Sequence, residues 1–181
     1  EYFYTRNYGG ENPYEGLEPD LPENANLDDY RTKLNFNGDR TFTDNIIGPY
    51  GLIMNVKDGN LITTASDKNI SYVNAYSVNV GDGNGSVDSN YIVKNILMAK
   101  DGYGVINVLQ DGKLVLEQYD ANNKGTILIA FNNEDGEIES GIINNDGAVN
   151  FRNGELALKP DAGYYEKETT IQILENATTN S

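Results

Sequence analysis

Asp-Gly and Asn-Gly pairs divide the chain from residue 37 onward into short aliphatic runs, and this punctuation constrains the fold more than any other feature. Asn-Gly begins at residues 37, 84 and 153, and Asp-Gly begins at 58, 82, 101, 111, 135 and 146. Such pairs favour tight turns because Gly, Asn and Asp tolerate positive φ angles. About ten to twelve runs of strand-forming residues lie between the pairs, and none has a helical period with caps. The pattern predicts an all-β fold with almost no helix.

The segment "GVINVLQDGKLVLEQY", residues 104–119, shows the pattern most clearly. If Asp111 and Gly112 form a two-residue type I′ turn, the two flanking runs pair as an antiparallel hairpin. Leu109 and Leu114 then lie on one face, and Ile106 and Val108 lie on the other. Both faces of this hairpin would carry apolar side chains.

Several runs, including "TILIA", "GLIMNV" and "KLVLE", are likewise apolar on both sides, whereas the strands of a two-layer sandwich alternate. A third layer or a neighbouring subunit could cover the extra face, or the runs could cross the centre of a barrel. Similar segments begin at residues 51, 104 and 141, but their offsets of 53 and 37 residues are unequal, which argues against a solenoid. The expected architecture is antiparallel hairpins or meanders that form a β-sandwich or a trimeric β-stack.

Residues 1–33 differ from the rest of the chain. They hold three of the five prolines and five tyrosines, with Leu17, Leu21 and Leu27 as their only aliphatic side chains. This composition predicts an extended N-terminal arm or linker. The all-β domain is expected over residues 34–175, followed by a polar tail over residues 176–181.

An uncovered apolar face predicts self-association. In the predicted hairpin, Ile106, Val108 and Val115 lie away from the leucines, and they are the expected oligomer interface. A homotrimer is expected, with an association that tightens as salt screens the repulsion between chains.

The charge and the missing residue types exclude several functions. A net charge of -15 disfavours binding to nucleic acid and to anionic lipid. No apolar run approaches the roughly 20 residues of a membrane helix, so membrane insertion is not expected. The chain has no His, Cys or Trp, which removes the common catalytic triads and histidine zinc sites. Glu137 and Glu139 could act as a glycosidase pair, but an exposed hairpin with a solvated acidic face is the stronger interpretation, and no enzyme is predicted.

One loop has the spacing of a calcium ligand set. In "GDGNGSVDSN", the residues Asp82, Asn84, Ser86 and Asp88 stand at alternate positions and offer oxygen ligands. An EF-hand does not fit, because Val87 stands where the loop requires Gly and Val93 stands where it requires Glu. The alternatives are a non-EF calcium site and a simple hairpin tip, and no other cofactor is expected.

Within residues 40–160, the segment "VINVLQDGKLVLEQYDANNKGTILIAFNNEDGEIESGIINNDGAV" resembles the trimeric, β-rich tail-fibre and appendage proteins of bacteriophages in texture. The resemblance implies a homotrimer whose N-terminal arm attaches to other particle proteins and whose C-terminal part faces a host surface. It identifies no binding residues. The function it implies is a non-enzymatic structural or adhesive module at the virion surface or outside the cell.

A secreted carbohydrate-binding β-sandwich is the alternative function, with cell-surface glycan as its ligand. Exposed tyrosine rings would stack on sugar rings, although the absence of Trp counts against this function. The candidates are Tyr72, Tyr76, Tyr91, Tyr103 and Tyr119. A further variant is an extracellular filament subunit whose arm pairs as a donated strand with its neighbour.

Overall fold

The computed structural model describes most of the chain after residue 19. The described residues are 20–43, 46, 48, 50–64, 72–83, 89–94, 96–99, 104–120, 125–134, 136–150, 154–161, 163–166 and 168–175. Their helical content is one 3-10 turn, Leu27–Asp29, whose first turn is capped by the Asn26 side chain. None of the helical structure described has the length and apolarity to cross a bilayer. The predicted all-β character is confirmed.

Thirteen strands make up the described fold. They are β1 (Thr32–Asn37), β2 (Arg40–Phe42), β3 (Leu52–Thr64), β4 (Tyr72–Val80), β5 (Ser89–Lys94), β6 (Ile96–Ala99), β7 (Val105–Val108), β8 (Gly112–Asp120), β9 (Thr126–Glu134), β10 (Glu137–Ser140), β11 (Ile142–Asn150), β12 (Glu155–Pro160) and β13 (Leu174–Glu175).

The strand pairing describes a coil. Among the described strands every pairing is parallel except that of β9 with β10. Parallel neighbours cannot be joined by a tight turn, so the chain must travel round before it returns beside itself. This is the arrangement of a parallel β-helix. The prediction of antiparallel hairpins is therefore wrong for all but one pair.

Each turn of the coil passes over three faces. Face 1 consists of β1, residues 52–56 of β3, residues 77–80 of β4, β7, residues 126–131 of β9, and β12. Face 2 consists of β2, residues 59–64 of β3, β5, residues 112–116 of β8, residues 142–145 of β11, and β13. Face 3 consists of Ile46, residues 72–75 of β4, β6, residues 118–120 of β8, and residues 148–150 of β11.

The turns of the coil are unequal in length. On face 1, Ser77 follows its partner Ile53 by 24 residues, Val105 follows Ser77 by 28, and Thr126 follows Val105 by 21. The strands must stay in register, but the corner segments between faces can lengthen or shorten. A coil of this kind does not require a fixed repeat, so the expectation that unequal offsets exclude a solenoid is wrong.

Alternate residues of each strand fill the interior of the coil. On face 1 the inward column includes Val56, Val80, Val108 and Ile129, all fully buried. On face 2 the corresponding columns include Leu61, Tyr91, Leu114 and Ile143. Each fully buried aliphatic side chain contributes about 1.5–3 kcal/mol relative to exposure. The interior of the coil is thus the core of the fold.

Four asparagines stack along the outside of face 1. The amide nitrogen of Asn55 donates to the side-chain oxygen of Asn35 at 2.9 Å, and Asn79 donates to Asn55 at 2.7 Å. Asn107 continues the series by donating to Asn79 at 2.7 Å. The next position in the column is Leu128, where the series ends. This asparagine ladder fixes the register of four successive turns of the coil.

The predicted hairpin at residues 104–119 is a corner between two faces. β7 lies on face 1 between β4 and β9, whereas β8 begins face 2 beside β5. Gly112 is not among the glycines with positive φ, so the type I′ turn is not formed. Inward-facing residues from both strands meet in one core, which is why the segment looked apolar on two sides.

Candidate functional site

The coil buries one of the tyrosines predicted to bind sugar. Tyr91 is fully buried on face 2, and its hydroxyl lies 3.2 Å from the Thr63 hydroxyl. Burial raises the pKa of Tyr91 well above its usual value, and the hydrogen bond to Thr63 opposes part of that rise. The prediction that Tyr91 presents a ring to a ligand is wrong, because an inward residue of the coil has no solvent-facing side.

Tyr76 is half-buried, and one face of its ring is already covered. The guanidinium carbon of Arg31 lies 3.3 Å from the ring centroid, and Nε of Arg31 donates to Asp28 at 2.8 Å. This cation–π contact holds the segment before β1 against the coil. Tyr72 and Tyr119 belong to β4 and β8, but their side chains lie outside the described residues, as does Tyr103 altogether.

Two of the three predicted interface residues lie inside the coil. Ile106 is 5% exposed and Val108 is fully buried, so neither can contact another subunit. Val115 has the opposite parity and lies on the outside of face 2, half-buried. The prediction is wrong for Ile106 and Val108 because the curled sheet gives its strands an inner and an outer side.

The calcium prediction falls mostly on undescribed residues. Asn84, Ser86 and Asp88 lie outside the described residues, and Asp82 lies at the corner between faces 1 and 2. The Asp82 and Gly83 amides donate to the Asp111 carboxylate at 3.0 and 3.1 Å. Burial and a hydrogen bond from the Asp82 side chain raise the pKa of Asp111, against the opposing effect of the backbone donors. Within the part of the chain that is described, no three acidic residues cluster as metal ligands.

The acidic segment is an exposed hairpin, as predicted. β9 and β10 pair antiparallel, with Glu137 opposite Glu134, and Gly136 has a φ of 91° at the tip. The Gly136 amide donates to the Asn133 side chain at 3.0 Å. Glu137 and Glu139 are both exposed, in keeping with a solvated acidic face.

A shallow cleft of about 510 Å³ lies between this hairpin and the segment after β12, and we call it the tyrosine cleft. The residues that line it are Asn133, Gly136, Ile138, Tyr164, Glu166, Thr169 and Thr170. Tyr164 is 81% exposed, the most exposed of the large apolar side chains that the structure describes. The cleft therefore combines one open aromatic ring with hydroxyl, amide and carboxylate groups.

The backbone around Tyr164 is anchored although its ring is open. The Asn133 amide donates to the Tyr164 carbonyl at 2.7 Å. The next residue, Tyr165, packs edge-on against Phe131 at 5.2 Å and donates its hydroxyl to the Asp161 carbonyl at 3.1 Å. Thr169 donates to the Glu166 carbonyl at 2.8 Å. Because the backbone is already fixed, ligand binding need restrict only the side-chain rotamers of Tyr164.

Sequence reasoning missed Tyr164. Its segment, "GYYEKETT", has no strand or hairpin pattern that would place this turn beside the acidic hairpin. The adjacent pair of tyrosines is the one available cue, because Tyr165 anchors the backbone and Tyr164 faces solvent.

A second groove of about 490 Å³ lies on the outside of face 2. Asp39 and Asn60 line it, and the Asn60 backbone and side-chain amides donate to Asp39 at 2.8 and 3.0 Å. Ile62 and Ile92 also line it. None of the described residues that line this groove is aromatic, so the tyrosine cleft is the stronger candidate for binding a sugar.

Comparisons with known proteins assign no family to the chain. No protein-family profile matches it, and neither the curated proteins nor the solved structures contain a significant match.

Proposed function

We propose that this chain is a non-enzymatic structural and adhesive module of a fibre or particle appendage, located outside the cell or on a virion surface. The observation that carries the proposal is an anchored, solvent-facing tyrosine on a coil whose register is held by stacked strands and an asparagine ladder. Such a coil supplies a stiff support, and the cleft supplies a contact surface. The proposed ligand of the cleft is cell-surface carbohydrate.

Carbohydrate suits the composition of the tyrosine cleft. The open ring of Tyr164 offers an apolar face for a sugar ring, and Glu166 and Thr170 offer groups for its hydroxyls. The openness of the cleft suits a long glycan better than a small molecule, which binds in enclosed, mostly apolar pockets.

Binding can be measured by calorimetry with a panel of neutral and acidic oligosaccharides. We expect Tyr164→Ala to weaken binding about tenfold, since an aromatic contact contributes about 1 kcal/mol or more. Tyr164→Phe keeps the ring and should bind nearly as the parent does. Tyr30→Ala is the matched control, because Tyr30 is also exposed but lies before the coil. Absence of binding across the panel, or equal loss in the Tyr30 control, would overturn the glycan role.

The proposed assembly is a homotrimer formed by the sides of three coils. Ile62, Ile92 and Val115 form an aliphatic stripe on the outside of face 2, each half-buried in the single chain. The net charge of -15 opposes this association, so it should tighten with ionic strength. Val115→Asp should dissociate the trimer in light scattering, whereas Val108→Asp would unfold the coil. A parent that shows no trimer at any salt concentration would contradict the assembly.

A further inference from the structure

The two ends of the coil differ in how they are covered. At the N-terminal end, Phe36 is 7% exposed and packs edge-on against Phe42 at 5.8 Å. At the C-terminal end, the inward columns finish at Leu156, Leu158 and Leu174, which are 39%, 49% and 38% exposed. These three make up half of the well-exposed large apolar side chains in the described part of the chain. Among the described residues, the core is therefore less covered at the C-terminal end than at the N-terminal end.

Among the described strands, β12 is the last of face 1, and none of them pairs with its edge away from β9. The Glu155 amide donates to the Gly125 carbonyl and the Asp161 amide donates to the Phe131 carbonyl, both toward β9. Alternate residues of a strand direct their backbone groups to opposite sides, so the amides of Leu156 and Leu158 point away from β9. Pro160, which has the same parity, has no N–H and ends the row. Two residues thus offer donors and acceptors at this edge.

The sequence of β12 is complementary to itself when reversed. Around Ala157 the order is Glu155, Leu156, Ala157, Leu158, Lys159. If two copies of β12 pair antiparallel about Ala157, each Glu155 lies opposite the Lys159 of the second copy. Each Leu156 then lies opposite the second copy's Leu158, as an inward pair that exchanges both backbone hydrogen bonds.

We propose that two copies of this chain join tail to tail through β12, with a two-fold axis at Ala157. The pairing continues face 1 from one coil into the other and covers Leu156 and Leu158. It satisfies the open backbone groups and forms the Glu155–Lys159 pair twice, as an isologous contact requires. The contact goes beyond the proposed function, because it joins ends of coils and the trimer joins their sides.

Lys and Pro also protect edge strands against pairing, and β12 contains both. Protection works best where a charge points inward, whereas the inward positions here are leucines and the charges point outward. The N-terminal end offers less apolar surface to a second copy, because Phe36 is already buried there. The observations therefore favour a tail-to-tail contact over a head-to-tail one.

Single charge reversals test the contact without touching the core. Glu155→Lys places lysines opposite each other in the dimer, and Lys159→Glu places glutamates opposite each other. Each should weaken association about tenfold or more in sedimentation equilibrium between about 10 µM and 1 mM protein. Mixing the two variants should restore a dimer, because each then supplies the charges that the other lacks. Failure of the mixture to associate, when the parent does, would overturn the antiparallel register.

A cysteine at the axis gives a second readout. The chain has no cysteine, and Ala157 would face its symmetry mate as a non-hydrogen-bonded pair, with Cα atoms about 4.5 Å apart. Ala157→Cys should oxidise to a covalent dimer, and Ser77→Cys, an outward residue of face 1 far from this end, should do so much less. Equal yields from both variants would overturn the proposal.

The side-by-side trimer and the tail-to-tail dimer can be tested separately. Val115→Asp should remove the trimer and leave the Ala157→Cys dimer, whereas the charge reversals should leave the trimer. A parent that is monomeric at all concentrations, with no Ala157→Cys dimer, would overturn both.

Discussion

The glycines of two Asp-Gly pairs in this chain, Gly112 and Gly136, lie in different structures. Asp111-Gly112 forms a coil corner, and its backbone lies against the preceding turn, where the Leu109 amide donates to the Val80 carbonyl at 2.9 Å. In the second pair, Gly136 lies at the tip of the one antiparallel hairpin among the described strands, with nothing within 4 Å of where its Cβ would lie. The dipeptide marks a change of direction in both places. The two places differ in the partner of the strand that follows. After the tip, β10 pairs with β9, the strand just before it, whereas after the corner, β8 pairs with β5 in the previous turn of the coil.

The two glycines are also required for different reasons. Gly136 has a φ of 91°, which an L-residue with a side chain adopts at a cost. A Cβ on Gly112 would meet the Val80 carbonyl oxygen at 2.1 Å, so close packing between turns excludes a side chain there. At a corner the limit is space, and at the hairpin tip it is the backbone angle.

The largest expected loss of stability distinguishes close packing at Gly112 from backbone strain at Gly136. Gly112→Ala should lower the free energy of unfolding by about 3 kcal/mol, because backbone atoms must move to admit the methyl group. Gly136→Ala should lower it by about 1 kcal/mol through backbone strain alone. Urea unfolding of both variants measures the difference. If Gly136→Ala costs as much as Gly112→Ala, the corner is not more tightly packed than the tip.

A smaller effect is expected at Ser89, which shares a register position with Gly59 and Gly112 beside this corner. Its hydroxyl is buried and has no hydrogen-bond partner among the described residues. Ser89→Ala should raise the free energy of unfolding by about 1 kcal/mol, because the unpaired polar group is removed. Ser140→Ala is the control, since its hydroxyl donates to the Gln172 carbonyl at 3.0 Å beside the hairpin. That variant should lose stability, and a loss at Ser89 as well would contradict the packing described for the corner.

The smallest effect concerns the charge at the corner. Since the pKa of Asp111 is raised above its ordinary 3.8, the folded state favours the protonated carboxyl. Stability from this group is therefore present at low pH and falls as the pH rises through the folded-state pKa. Asp111→Asn should remove that fall, so the variant gains on the parent between about pH 3 and about pH 7 in urea unfolding. Asp58→Asn removes a charge at an exposed position and serves as the control. A gain that does not depend on pH would contradict the assignment.

The sequence was sufficient to predict strands, the near absence of helix, and the acidic hairpin. The hairpin in "NNEDGEIES" was predictable because its contacts are local. The Gly136 amide, for example, donates to the Asn133 side chain within the same segment. The parallel pairing of β7 with β4 was not predictable in this way, because it joins Val105 to Ser77 across 28 residues of irregular spacing. The residues of a turn do not determine which distant strand the following strand will pair with.

The site was predicted less well than the fold. The sequence indicates tyrosines on strands as ligand-binding candidates, but on a coil alternate residues face inward, as Tyr91 does. Tyr164 lies in a turn whose position depends on Tyr165 contacting Phe131, a contact with no sequence signature. Residues 1–19 of the predicted arm lie outside the described residues. β1 starts at Thr32, within the range predicted for the arm.

Disulfide trapping tests the coil most directly, because the chain has no cysteine of its own. The coil places Ser77 and Val105 as outward-facing partners on neighbouring parallel strands. A hairpin about Asp111-Gly112 would instead place Val105 beside Gln118. We predict that Ser77→Cys with Val105→Cys oxidises rapidly to an intramolecular disulfide, and that Val105→Cys with Gln118→Cys does not. The opposite result would contradict the coil and restore the hairpin.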